Sequence, residues 1–62
     1  MAEQVLFSIL DVARMLGVGR STVYLLIARD ELPVVHVGRR TLVHVDSVHE
    51  YVSRLRAEAA AD

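Results

Sequence analysis

Residues 16–24 read Leu-Gly-Val-Gly-Arg-Ser-Thr-Val-Tyr, and this stretch decides the fold. The chain before it predicts a helix of about two turns that begins near Ile9, because Ser8 followed by Asp11 is typical of a helix start. Gly17 supplies the left-handed residue that ends this helix. Its apolar stripe has the helical spacing i, i+3, i+4, i+7 and consists of Ile9, Val12, Ala13 and Leu16.

A second helix is predicted to begin at Arg20, because Gly19 is a permissive N-cap and no helix breaker follows at once. It should end around Arg29-Asp30, since Leu32-Pro33 forces an extended conformation. Two helices joined by a three-residue turn that contains glycine form a helix-turn-helix unit.

The chain after Pro33 is predicted to form a hairpin and a third helix. Residues 34–37 and 41–45 are rich in β-branched side chains and flank Gly38-Arg39-Arg40, which indicates a basic hairpin tip, or wing. Asp46 is expected to cap the third helix. The apolar stripe that closes the core would consist of Val48, Tyr51, Val52 and Leu55.

The predicted fold class is therefore mainly α with a small β-hairpin. Its architecture is a winged helix-turn-helix in the order helix, helix, two-stranded wing, helix. We expect one domain over residues 1–62, with frayed ends at about 1–5 and 57–62.

Composition narrows the class of protein. A hydrophobic content of 53% is too high for a disordered tail, yet no apolar run is long enough to span a bilayer. The absence of cysteine removes disulfides and thiolate metal sites. The first ten residues carry an acid and no basic segment, unlike a secretory signal. These features predict a cytoplasmic protein that makes no contact with a membrane.

The formal net charge of −1 argues against a nucleic-acid ligand, because domains that bind nucleic acids are usually basic. Its distribution is more favourable, since four of the seven arginines lie within residues 20–40 and four of the eight acids lie near the ends. Every basic residue is arginine, which favours bidentate contacts to phosphate or guanine. A GC-rich genome would produce the same bias.

The second helix presents candidate DNA-reading residues. Val23, Leu26 and Ile27 form its inward face, which leaves the first turn free to reach base edges in a major groove. The candidates are Arg20, Ser21, Thr22, Tyr24 and Leu25. Alternatives remain open: Ser21 and Thr22 could only cap the helix, and Tyr24 could pack in the core. Leu25 could press on a thymine methyl, contact a neighbouring copy or a recombinase, or pack partly under the wing.

The wing supplies the second set of candidates, Arg39 and Arg40 with the adjacent Thr41. Two guanidinium groups on a hairpin can straddle a phosphate strand or enter the minor groove. Adjacent arginines at a turn are also ordinary surface residues.

The histidines and acids do not form a pattern typical of a metal site or a catalytic site. His36 and His44 fall on facing strands, but without cysteine or a further ligand pair they do not suit a structural zinc site. No nucleophile paired with a base and no phosphate-binding glycine loop is present. We therefore expect no catalytic residue, metal, cofactor or small-molecule ligand.

The segments Gly-Val-Gly-Arg-Ser-Thr-Val-Tyr, Glu-Leu-Pro and Val-Gly-Arg-Arg, followed by an acid-capped helix, together resemble the excisionase-type winged-helix family related to MerR regulators. The resemblance runs from about Leu6 to Leu55. It implies a recognition helix carried by Arg20, Ser21, Thr22 and Tyr24 and a wing carried by Arg39 and Arg40. It also implies small phage or mobile-element proteins that bind repeated sites, bend DNA and direct an integrase towards excision, or relatives that regulate transcription.

Three departures from the family pattern matter. Gly19 stands where a serine N-cap is usual, and Asp30 where glycine is common. Leu25 and Ala28 occupy positions that are often basic, so two phosphate contacts are missing.

These observations predict a protein that binds double-stranded DNA and is not an enzyme. The first hypothesis is an excisionase-like accessory factor of site-specific recombination, because 62 residues leave no room for the coiled coil of a full MerR-type regulator. The alternatives are a compact transcriptional regulator and a protein-interaction module that has lost DNA affinity. With few contacts, we expect cooperative self-association on tandem sites or an integrase partner.

Overall fold

A computed structural model describes residues 4–60. The elements in chain order are β1 (Leu6–Ser8), α1 (Ile9–Leu16), α2 (Arg20–Ala28), β2 (Val35–Val37), β3 (Arg40–His44) and α3 (Val45–Ala60). Three helices and a small antiparallel sheet make a winged helix-turn-helix, which confirms the predicted fold class. No helix within residues 4–60 has both the length and the apolar character needed to cross a membrane.

The helix-turn-helix unit has the predicted boundaries. The Ser8 hydroxyl accepts a hydrogen bond from the Asp11 backbone N–H at 3.1 Å, and Gly17 ends α1 in the left-handed conformation at φ 72°. Gly19 is the N-cap of α2. Asp30, just beyond α2, has φ 58°, so it takes the left-handed conformation for which glycine is favoured.

The sheet has one strand more than the expected two-stranded wing. Its order is β1-β3-β2, with Phe7 opposite Val43 and Val37 opposite Arg40. The Val45 backbone N–H also donates to the Val5 carbonyl at 2.8 Å. The segment before α1 therefore completes the sheet and ties the start of the domain to the wing.

The third helix begins at Val45, so the prediction that Asp46 caps it is wrong. His44 provides the cap, because its Nδ1 accepts a hydrogen bond from the Asp46 backbone N–H at 3.0 Å. The Asp46 carboxylate lies in the first turn, where its negative charge interacts favourably with the positive end of the helix dipole. The helix continues through Ala60, and every residue from 53 to 60 is exposed, so the prediction that Leu55 helps to close the core is wrong. The predicted fraying of the two ends stays a prediction, and residues 1–3 and 61–62 lie outside the described range.

Removal of the histidine cap should lower stability measurably. We expect His44→Ala to reduce the free energy of unfolding by about 1 kcal/mol, because the first turn of α3 loses a side-chain acceptor. His44→Asn should recover most of the loss, since asparagine is a strong N-cap. Urea denaturation measures both, with His49→Ala at an exposed position of α3 as the control. Equal midpoints for His44→Ala and the wild-type protein would contradict this role.

The core joins the helix-turn-helix unit to the sheet and to α3. Within residues 4–60 it contains no buried charge. Its eight buried apolar residues come from α1, α2, β3, α3 and the loop that precedes β2: Ile9, Val12, Ala13, Val23, Leu26, Leu32, Val43 and Val48. Phe7 and Tyr51 pack against its edge. The core holds α2 and the hairpin on one body, and this fixes the candidate reading elements relative to each other.

Candidate nucleic-acid interface

The inward face of α2 is the predicted one. Val23 is fully buried, Leu26 is buried and Ile27 is half-buried against the core. At 100° per residue, this leaves the remaining positions of the helix on the solvent side. All six of them are exposed: Arg20, Ser21, Thr22, Tyr24, Leu25 and Ala28.

The first turn of α2 is free of internal capping. Its N-cap is Gly19, which has no side chain to accept a hydrogen bond, and the Thr22 N–H turns back to the Gly19 carbonyl at 3.1 Å. Among the side-chain hydrogen bonds of residues 4–60, none involves the hydroxyl of Ser21 or Thr22. The alternative that these hydroxyls only cap the helix does not describe this structure.

Two large side chains of α2 face solvent. Tyr24 is 57% exposed, so it is not a core residue, whereas Leu25 at 47% exposure agrees with partial packing as well as with an external contact. Arg20 and Tyr24 are separated by one turn on one edge of the outer face, whereas Ser21 and Leu25 occupy its middle. Thr22 lies on the flank, nearer to the buried Leu26.

The wing ends in a two-residue turn. Gly38, at φ 60°, and Arg39 connect Val37 to its partner Arg40, and a glycine in the first position suits such a hairpin. Arg39 and Arg40 are both exposed. Arg40 therefore belongs to the end of a strand and only Arg39 to the turn itself.

Thr41 points to the other face of the sheet from Arg40, because side chains alternate along a strand. It is half-buried, and its hydroxyl lies 3.4 Å from Nδ1 of His36, its cross-strand partner. The hydroxyl of Thr41 thus has a neighbour within the wing, whereas the two arginines project freely.

The histidines do not converge. His36 is opposite Thr41 in one pair of strands, and His44 is opposite Leu6 in the other. By the alternation of side chains, they lie on opposite faces of the sheet. Residues 4–60 contain no cluster of three or more side chains that could hold a metal ion.

Acidic groups gather at the end of α2 that is remote from Arg20. Asp30, Glu31 and Glu50 line a shallow depression of about 150 Å³ together with Pro33, Ser47 and Arg54. Arg54 makes two contacts within the domain here. Its Nη2 donates to the Glu31 carbonyl at 2.7 Å, and its guanidinium carbon lies 5.9 Å from the centre of the Tyr51 ring. The exposed C-cap Arg29 also lies at this end of α2, whereas Arg20 is the charged residue of its first turn.

Four exposed arginines were not among the candidates, and one of them, Arg14, lies beside the turn between α1 and α2. Arg14 lies in the last turn of α1, just before the turn that leads into α2. The first helix of a helix-turn-helix unit crosses the DNA backbone, so this position suits a phosphate contact. The signal was present in the sequence, since the apolar stripe of α1 leaves Arg14 on the outer side.

Comparison with known proteins identifies the family. Residues 6–56 match a family model described as "Helix-turn-helix domain". The chain is 41% identical over 49 residues to "Putative DNA-binding protein Rv0500A" of Mycobacterium tuberculosis H37Rv, covering 79% of this chain and 63% of the relative. It is 32% identical over 59 residues to "Probable excisionase" of Saccharopolyspora erythraea, covering 95% of this chain and 60% of that relative. No solved structure matches significantly.

The fold and its outer face define a DNA-binding helix-turn-helix domain. Because the match to the family model spans most of the sequence, the chain belongs to this helix-turn-helix family. The alignments span about 60% of the length of these relatives.

Proposed function

We propose that this domain binds duplex DNA with α2 in the major groove and acts as an excisionase-like accessory factor in site-specific recombination of a phage or mobile element. The observation that carries the proposal is the first turn of α2, where Arg20, Ser21 and Thr22 are exposed and uncapped on a helix of this family. A major groove admits one helix, and the first residues of the second helix reach the bases.

Each exposed group of the interface has a matching DNA group. Arg20 suits the O6 and N7 atoms of guanine, and the hydroxyls of Ser21 and Thr22 suit phosphate or base edges. Tyr24 can donate its hydroxyl to a phosphate. Arg39 and Arg40 suit the phosphate backbone or the minor groove beside the site. The acids at the far end of α2 would lie away from the groove.

The salt dependence of binding tests the contact with DNA. Each arginine that neutralises a phosphate should contribute about −0.9 to the slope of log affinity against log salt. Contacts from Arg20, Arg39 and Arg40 predict a slope between about −2 and −3, measured by fluorescence anisotropy on duplexes from the region around the gene. An absence of salt-dependent binding to any duplex would instead favour a protein-interaction module, as the net charge of −1 allows.

The role in recombination is supported by the relative named as an excisionase, which aligns with 95% of this chain. The second candidate is a transcriptional regulator, with which the relative named as a putative DNA-binding protein is equally compatible. Both candidates use the same contacts. A weak single-site affinity would be raised by cooperative binding to tandem sites or by an integrase partner, because linkage adds binding energy without new base contacts.

Deletion of the gene separates the two roles. The junction of the excised circle is quantified by PCR, and transcripts of the neighbouring genes are measured in the same cells. Loss of the circle junction with unchanged transcription of the recombinase supports the accessory factor. Unchanged excision with altered transcripts supports the regulator.

A further inference from the structure

Leu25 is the most outward large apolar side chain on the reading helix. It lies roughly 160° around α2 from both Val23 and Ile27, which face the core. Leucine at 47% exposure leaves apolar surface in water, and this is unfavourable unless a ligand covers it. Leu55 is exposed to a similar degree outside the interface, so it is the place of Leu25 on the reading helix, together with its exposure, that indicates an apolar partner.

The neighbours of Leu25 indicate what that partner is. Ser21 precedes it by one turn on the same face, and Ala28 follows with only a methyl group. Any duplex that receives the first turn of α2 in its major groove must therefore lie over Leu25 as well. The last turn of α2 contains no basic residue that could hold a phosphate in its place.

The major groove offers one apolar group, the C5-methyl of thymine. We infer that Leu25 is a specificity residue that covers the methyl group of one thymine in the recognised site. The inference rests on the proposed binding of DNA by α2. Leu25 follows Ser21 by about 6 Å along the helix, so this thymine lies within about two base pairs of the pair read by the first turn.

Removal of a single methyl group from the DNA tests the inference. Duplexes bound most tightly by the wild-type protein are selected from a random-sequence pool, and each thymine is then replaced by deoxyuridine. One replacement should weaken wild-type binding about fourfold, the expected effect for a buried methyl-sized group. Leu25→Ala should bind more weakly than the wild type but respond to this replacement by less than about 1.5-fold.

A matched control is Leu55→Ala on α3, because Leu55 is 44% exposed and lies outside the interface. It should retain the wild-type affinity and the fourfold response. Leu25→Gln provides a second variant that keeps good helix propensity while placing a polar end over the methyl group. Circular dichroism of each variant verifies that the helices are retained.

The outcomes separate this inference from the proposed function. Wild-type binding that is insensitive to every methyl removal, or equally sensitive in Leu25→Ala, overturns the role of Leu25 and leaves DNA binding intact. A loss of affinity in Leu25→Ala only on duplexes with two sites assigns the residue to a contact between proteins and also overturns it. Failure of the wild-type protein to select any duplex overturns the proposed function itself.

Discussion

Leu32→Ala is expected to leave the domain largely unfolded at 25 °C. Leu32 is fully buried, and it is the largest of the side chains with no exposed surface. A buried leucine truncated to alanine costs about 2–5 kcal/mol. A single core in a domain of this size rarely supplies more than about 3–5 kcal/mol in total. The far-UV circular dichroism and the urea midpoint measure the loss.

Leu55→Ala is the matched control for this substitution, because it removes the same atoms from a side chain that is 44% exposed. It should change stability by less than about 1 kcal/mol. Leu32→Met, which nearly conserves volume, should cost less than about 1.5 kcal/mol. If Leu32→Ala unfolded at the same urea concentration as the wild-type protein, the loop before the wing would not anchor the core.

The importance of Leu32 could not be predicted from periodicity. The helical spacing identified Val12 and Val23 as inward residues, because each lies in a repeating apolar stripe. Leu32 lies between α2 and the wing, and the following Pro33 indicated only where the helix must end. Its burial depends on how α1, α2 and β3 enclose the loop, and no local pattern encodes that arrangement.

Strand β1 and the His44 cap of α3 could not be predicted for a related reason. Strand β1 has three residues, too few to show an alternating pattern, and it pairs with a strand more than thirty residues later in the chain. His44 caps α3 through Nδ1 although histidine is not a preferred N-cap residue. Both depend on tertiary pairing, which places the end of β3 directly before the helix.

The outer face of α2 could be predicted because exposure follows from the phase of the buried residues. The charge pattern around it could not. Arg54 pairs with the Glu31 carbonyl across 23 positions of sequence, so the total charge did not reveal that this arginine supports the fold. A net charge of −1 therefore does not describe the interface, where Arg20 and the wing arginines are exposed and most of the acids near α2 lie beyond its other end, beside Arg29.

Among substitutions that leave the domain folded, Arg20→Ala should have the largest effect on DNA binding. If its guanidinium forms a bidentate contact with guanine, its removal costs about 1–3 kcal/mol, or roughly 5-fold to 150-fold in affinity. The preference at one base pair should relax at the same time. Arg20→Lys should remain impaired, because an ammonium group lacks the planar fork. Anisotropy titrations on the selected duplex and its variants at that base pair measure both effects.

The wing variant gives the comparison that identifies the contact made by Arg20. Arg39 and Arg40 are proposed to bind phosphates, so the double alanine variant should weaken all duplexes alike and reduce the salt slope by about 2. Arg20→Ala should instead weaken the selected duplex more than unrelated ones, because only a base contact distinguishes sequences. Equal losses on every duplex would assign Arg20 to a phosphate. Wild-type binding by both variants would show that neither α2 nor the wing docks as proposed.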